Sequence, residues 1–279
     1  MTVTMWIGDV ELSGDSWEFG ITGQGFPGWY DLPAVKSDFE ARQAGHGSYR
    51  VVEPLYSGRT VTVHADTDFR DRESLLALWQ RINALHRTEQ IVRVRDEGAD
   101  SFIRAVVEVE YPSGWSWDSQ ELTITLTAAD PIRYAWEEQR VTLTAGARVG
   151  ALDYVIEYPI DYGDDVASAS PSGSVSNTGN VATGPVITVE GSYPQGFTLL
   201  GAGGRAIIYP QPVFLGTPVV IDCVRRVAIC NGVNVSRNLT RREWFSLPPG
   251  GSTTVTLVAG EDVAAGKAWA TLSARSSWI

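Results

Sequence analysis

Glu121-Leu122-Thr123-Ile124-Thr125-Leu126-Thr127 repeats with a period of two. Successive side chains of a β-strand point to opposite faces, so Leu122, Ile124 and Leu126 share one face and the threonines the other. An apolar face backed by a β-branched polar one describes an antiparallel strand with one side buried and one side wet. Reading backwards, Pro112-Ser113-Gly114 marks a turn, and residues 102–111 and 91–94 read as further strands. Val61 and Val63 alternate with Thr60, Thr62 and His64 in the same way. Residues 71–86 break the period. There Leu75, Leu78, Trp79, Ile82 and Leu85 fall on one side of an α-helix. Asp68 or Asp71 suits its start and Arg87 its end, as the helix dipole prefers. No other segment has this spacing, so the fold class is mainly β with one helix in the N-terminal half.

Reading forwards, Ala128-Ala129-Asp130-Pro131 stops the strand. Proline has no N–H for a ladder and turns the preceding residue away from helix, which makes Asp130 and Pro131 the expected interdomain junction. Residues 163–184 shift to Ser, Gly, Asn and Asp, the composition of a linker or surface loop. Past Pro185, short strand-like pieces follow at 186–190, 197–200, 205–209, 219–224, 227–230, 253–258 and 267–272. Asn231-Gly232 between apolar runs predicts a two-residue hairpin, because both residues tolerate positive φ. Short strands with turn signals and no helix predict an antiparallel β-sandwich. Residues 141–144 and 154–158 are also strand-like and belong either to an insertion or to the second domain. The expected division is 1–136, a connecting stretch 137–181, and the sandwich 182–279.

The chain of 279 residues carries a net charge of −11, and its two lysines leave its basic groups almost wholly to scattered arginines. Phosphate-backbone affinity needs clustered cations, so sequence-directed nucleic-acid binding is not expected. An acidic surface would instead let DNA pass without sticking. Aromatics reach 10%, with ten Trp and ten Tyr, residue types that supply area in cores and interfaces. The first twelve residues alternate and contain Asp9 and Glu11, unlike a signal peptide. No stretch is apolar enough to span a bilayer, so no membrane insertion is expected. Two cysteines are too few for a disulfide scaffold, and assembly in a reducing cytoplasm is expected.

Catalytic chemistry is hard to find. His46, His64 and His86 have no metal-ligand spacing. Cys223 and Cys230 stand in adjacent predicted strands, where a cross-strand disulfide competes with the favoured reading of two small buried residues. Gly201-Ala202-Gly203-Gly204 has no following helix and reads as a turn rather than a phosphate loop. Asp161, Asp164 and Asp165 match no calcium loop and read as a solvated acidic loop. No carboxylate has an apolar setting that would raise its pKa, and no Gly-x-Ser-x-Gly elbow occurs. Trp115, Trp117 and Trp244 are candidates for ligand contact, a sugar platform competing with core or interface packing. Neither catalytic nor metal nor cofactor residues are expected.

The order of these elements resembles the distal tail protein family of siphophages over nearly the whole chain. In the N-terminal half the matching pieces are an extended segment at 49–56, then Arg59-Thr60-Val61-Thr62-Val63, one helix, paired strands, and Leu126-Thr127-Ala128-Ala129-Asp130-Pro131-Ile132-Arg133-Tyr134. In the C-terminal half they are Asn177-Thr178-Gly179, Gly184-Pro185-Val186-Ile187-Thr188-Val189-Glu190-Gly191, Val220-Ile221-Asp222, Asn231-Gly232-Val233-Asn234, Trp244-Phe245-Ser246-Leu247-Pro248-Pro249-Gly250 and Ser277-Trp278-Ile279. The resemblance implies a ring-forming N-terminal β domain and a galectin-like antiparallel β-sandwich. It implies a structural virion protein at the tail tip or baseplate, one subunit of a hexameric ring joining the tail tube protein to the tail-tip hub. DNA and the tape-measure protein would pass through the lumen. In that ring, Leu75, Leu78, Trp79, Ile82, Tyr49 and Tyr56 are the interface candidates, and residues 34–53 reach a neighbouring subunit. The alternative is a carbohydrate- or receptor-binding tail module on the same sandwich, with a wall hydrolase a remoter third.

Overall fold

The period-two segments become the long strands of the first sheet. The computed structural model describes residues 3–13, 19–36, 41–49, 55–68, 72–111, 119–145, 170–260 and 267–279. The chain divides into two units, Met1–Glu137 with Trp278–Ile279, and Glu138–Ser277. In the first, the described elements are β1 (Thr4–Ile7), β2 (Val10–Ser13), β3 (Gly20–Ile21), β4 (Arg59–Asp68), α1 (Arg72–Leu85), β5 (Glu89–Asp96), β6 (Ala99–Glu110), β7 (Ser119–Ala128) and β8 (Arg133–Ala135). The sheet order is β2-β1-β5-β6-β7-β4-β3, and β8 stands off this path against β6 and β20 (Ser277–Trp278). The β4–β7 register sets Val61 against Leu126 and Val63 against Ile124, so both apolar rows share a face. Met5, Ile7, Val92, Val94, Ile103, Ala105 and Val107 extend that face, and Leu78, Ile82 and Leu85 of α1 pack into the same core. Each such side chain contributes roughly 1.5–3 kcal/mol by leaving water.

The second unit is built from β9 (Gln139–Thr144), β10 (Ser172–Ser176), β11 (Val186–Gly191), β12 (Phe197–Gly201), β13 (Ala206–Tyr209), β14 (Val219–Asp222), β15 (Val227–Cys230), β16 (Val233–Asn234), β17 (Arg241–Arg242), β18 (Ser252–Ala259) and β19 (Ala268–Ala274). Among the described residues these form a five-stranded sheet, β10-β18-β12-β13-β17, and a six-stranded one, β16-β15-β14-β11-β19-β9. Leu199, Ile207 and Leu257 of the first sheet and Ile187, Ile221, Ala270 and Leu272 of the second belong to one buried cluster. Two antiparallel sheets closed on one core make a sandwich. Strands β9 and β10 are part of it, so its sheets begin earlier in the sequence than residue 182; residues 154–158 lie outside the described residues. Asn231 and Gly232 have φ of 47° and 77°, the left-handed pair that joins β15 to β16.

Candidate functional site

The face of the first sheet turned away from the core carries its densest aromatic group at β1, β5, β6 and β8. Alternation along β1 and β5 buries Met5, Ile7, Val92 and Val94 and leaves Trp6 and Arg93 on the outer side. The Arg93 guanidinium lies 4.9 Å from the Trp6 ring centroid and 4.3 Å from that of Trp136. Its fork donates to Asp100, Nε to Oδ1 at 2.8 Å and Nη2 to Oδ2 at 2.6 Å. The hydrogen bond from Arg93 holds the Asp100 carboxyl below the usual carboxylate range and raises Arg93 in turn. Trp6 Nε1 donates to Glu11 Oε2 at 3.2 Å. Phe102 meets Trp136 edge-on at 5.8 Å and Tyr134 at 6.1 Å. A cavity of about 350 Å³ opens here, lined by Trp6, Gly8, Gln90, Ile91, Arg93 and Trp136. The charged and polar ends of Trp6, Arg93 and Asp100 are thus each matched to a partner of opposite character, which fixes this surface. Trp, Tyr and Arg are the residue types that anchor protein interfaces.

A second arrangement fixes the loop in front of β4. Arg59 is 1% exposed. It donates from Nε to Pro131 O at 2.8 Å and from Nη1 to the carbonyls of Gly28 (2.8 Å), Trp29 (2.9 Å) and Asp31 (2.7 Å). Burial, then the nearby Arg133, brings its pKa down to about 10, which still leaves it charged at neutral pH. Gly28 has φ of +95°, and a side chain there would meet the Thr60 carbonyl. Asp130 Oδ1 accepts from Ile132 N at 3.0 Å and Oδ2 from Tyr134 OH at 2.9 Å. Asp130 and Pro131 thus form a braced turn within the first unit, tied through Arg59 to residues 28–31.

Beyond this anchored loop the described residues 32–36, 41–49 and 55–57, here called the arm, carry short backbone pairings. Val35 bridges Tyr56 and Ala41 bridges Ser48, with Lys36 N donating to Leu55 O and Ser57 N to Ala34 O, both at 2.7 Å. Leu32, Val35, Tyr49 and Leu55 are 71, 50, 56 and 62% exposed. In the single chain these large apolar groups stand open to solvent.

The sequence-derived candidates separate against this background. Leu75, Leu78 and Ile82 are 0, 3 and 1% exposed in the single chain. Leu78 and Ile82 pack into the core of the first unit, so in the single chain these side chains are covered by its own atoms. Trp79 is half-buried, 5.5 Å from Tyr111 and 5.0 Å below the Arg72 guanidinium. Tyr49 is exposed, and Tyr56 sits in the bridge at the base of the arm. Trp244 packs against the sandwich core. Trp115 and Trp117 lie outside the described residues, as do Asp161, Asp164 and Asp165. His86 Nδ1 accepts from Val109 N at 3.1 Å, and no group of three or more metal-ligating side chains occurs among the described residues. Cys230 pairs with Val219 while Cys223 follows Asp222 at the far end of the hairpin, so the two do not face each other, and both are free. Burial pushes the Cys223 thiol up to about 12, an unreactive state. Among described helices none is long and apolar enough to cross a membrane.

Sequence reasoning missed Trp6, Arg93 and Trp136 as a group. No local signal joins Trp6 to a tryptophan 130 positions later.

The sequence matches no protein-family model and no curated protein. Among solved structures the chain is similar to Dit of phage SPP1, described as a paradigm of the hub adsorption apparatus in phages infecting Gram-positive hosts, at 16% identity, a TM-score of 0.64 and 99% coverage of both chains. Chains of the phage P2 baseplate in its activated conformation match at 10% identity, one with Ca at a TM-score of 0.48 over 100% of both chains, one with Sr at 0.49 over 100% of this chain and 99% of that one. The protein therefore shares the fold of SPP1 Dit, through both of its units.

Proposed function

We propose that this chain is a distal tail protein, a non-enzymatic ring subunit at the tail tip of a long-tailed bacteriophage. The observation that carries this reading is the likeness to SPP1 Dit along 99% of both chains, which covers the helix-bearing sheet and the sandwich together. In this reading residues 1–136 form the ring and attach to the tail tube protein, and 182–279, joined by β9 and β10 from the stretch 137–181, form a galectin-like sandwich available for docking. Six copies close around a lumen that passes DNA and the tape-measure protein to the tail-tip hub. The subunit is made in the host cytoplasm and resides in the virion, with no cofactor.

A ring needs two different patches on each subunit that fit one another after a fixed rotation. The exposed apolar arm and the Trp6–Arg93–Trp136 surface supply two such patches in the first unit, and Trp79 beside Tyr111 is a third contact candidate. The net charge of −11 keeps passing DNA from adhering, by like-charge repulsion.

The test is the native mass of the full-length protein with negative-stain imaging of the same sample. Six-fold rings are expected. A monomer at every concentration, and no ring after mixing with a tail tube protein, would sink the proposal.

A further inference from the structure

The second unit holds a cavity whose chemistry the tail-ring reading does not use. It has a volume of about 410 Å³ and is lined by Ala202, Gly203, Arg205, Phe245, Ser246, Pro248, Ser252 and Thr253. Phe245 forms an apolar floor, 4% exposed and packed into the sandwich core. The polar wall consists of one guanidinium and three hydroxyls, and no carboxylate lines it. Arg205 is exposed and restrained by one long contact, Nη1 to Trp244 O at 3.4 Å, which leaves most of its donors available. Glu243, which feels the Arg205 charge from outside the lining, accepts its hydrogen bonds from Ala206 N at 2.8 Å and from Arg241 Nη2 at 3.0 Å. Gly203 has φ of 71° with nothing near the position of a Cβ, so this side of the rim is bare backbone. Among the residues that line the cavity, Arg205 carries the charge.

We propose that this cavity binds a phosphate group. A guanidinium with free N–H donors matches the planar spread of phosphate oxygens, and hydroxyls complete their coordination. Carboxylates, which would repel it, are absent from the lining. The volume exceeds that of a lone anion and falls within the range for small organic ligands, so the phosphate can carry a substituent resting on Phe245. The site lies wholly within the second unit and stands whether or not the chain closes into a ring.

The experiment is a titration of the full-length protein, labelled with 15N-glycine, at low ionic strength. Inorganic phosphate and dimethyl phosphate are the probes, sodium chloride at matched ionic strength is the control, and calorimetry is run in parallel. The amide of Gly203 is expected to shift saturably with phosphate and not with chloride. Arg205→Gln is expected to weaken binding about tenfold, by loss of the charge-assisted contacts, and Arg205→Lys to restore part of it. Because Arg205 is exposed, neither change disturbs the core. Binding of dimethyl phosphate as well would assign the site to a phosphodiester, as on a polymer, whereas binding of inorganic phosphate alone would assign it to a free monoanion or dianion. No saturable shift with either probe, equal shifts with chloride, or affinity unchanged in Arg205→Gln would each overturn the proposal.

Discussion

The helix face of Leu75, Leu78 and Ile82 and the arm residues Leu32, Val35, Tyr49 and Leu55 use the same kinds of side chain to opposite ends. The first set is 3% exposed or less, the second 50% or more. The helix residues recur at 3.6-residue spacing and therefore meet one continuous surface of their own sheet. The arm residues follow no period, and their described backbone pairings are short, Val35 with Tyr56 and Ala41 with Ser48 among them. Regular apolar spacing announces an internal partner, whereas irregular apolar exposure on an anchored segment announces an external one.

Four changes test that contrast, in falling order of effect. Arg59→Met removes the donor shared by four carbonyls at the base of the arm, leaving those that remain buried without partners; a loss of about 3–5 kcal/mol is expected by chemical denaturation. A loss below about 1 kcal/mol would mean the loop is held by something else. Ile82→Ala opens a cavity in the first unit's core, with an expected cost of about 2–4 kcal/mol and no effect on self-association beyond that of lowered stability.

Leu55→Ser should reverse this pattern. Its effect on the stability of the single chain is expected within about 0.5 kcal/mol, while the native mass shifts toward monomer. If Leu55→Ser unfolds the protein as Ile82→Ala does, the arm is structural and the contrast fails. The smallest effect concerns the outer face. Asp100 has a lowered pKa in the folded chain, so the stabilisation from its ionised form is full above the unfolded-state value near 4 and is lost as pH falls through the folded one. Wild type should therefore lose more stability than Asp100→Asn in an acid titration below about pH 4, and parallel curves would show that the Arg93 fork contributes nothing.

Much of the fold was legible because period carries burial. Residues 121–127 became the centre of β7, residues 71–86 hold α1, and Asn231-Gly232 made its turn. At Leu75, Leu78 and Ile82 the same periodicity says that a face is covered and does not say whose atoms cover it. Strands β9 and β10 were harder to assign because Ser172-Gly-Ser-Val-Ser has the composition of a loop, and only pairing with β18 makes it a strand. Arg59 was visible as an arginine before a Thr/Val alternation, yet its four carbonyl partners come from residues 28–31 and 131, and no local pattern connects them. The stacking of Arg93 between Trp6 and Trp136 was hidden for the same reason. The Gly201-Ala202-Gly203-Gly204 stretch closes in a single 3-10 turn after β12, but the cavity beside it depends on Phe245 and Thr253, which come from distant parts of the chain.

Trp278 and Ile279 belong to the first unit although some 140 residues of the second unit separate them from Glu137. Synthesis proceeds from the N-terminus, so the helix-bearing sheet leaves the ribosome long before these residues do. Its strands up to β8 can pair early, but the unit acquires its last members only when residue 279 has emerged. Such pairing over a long sequence separation is slow compared with local hairpin closure. Completion of the first unit in this way waits on residues made after the second unit.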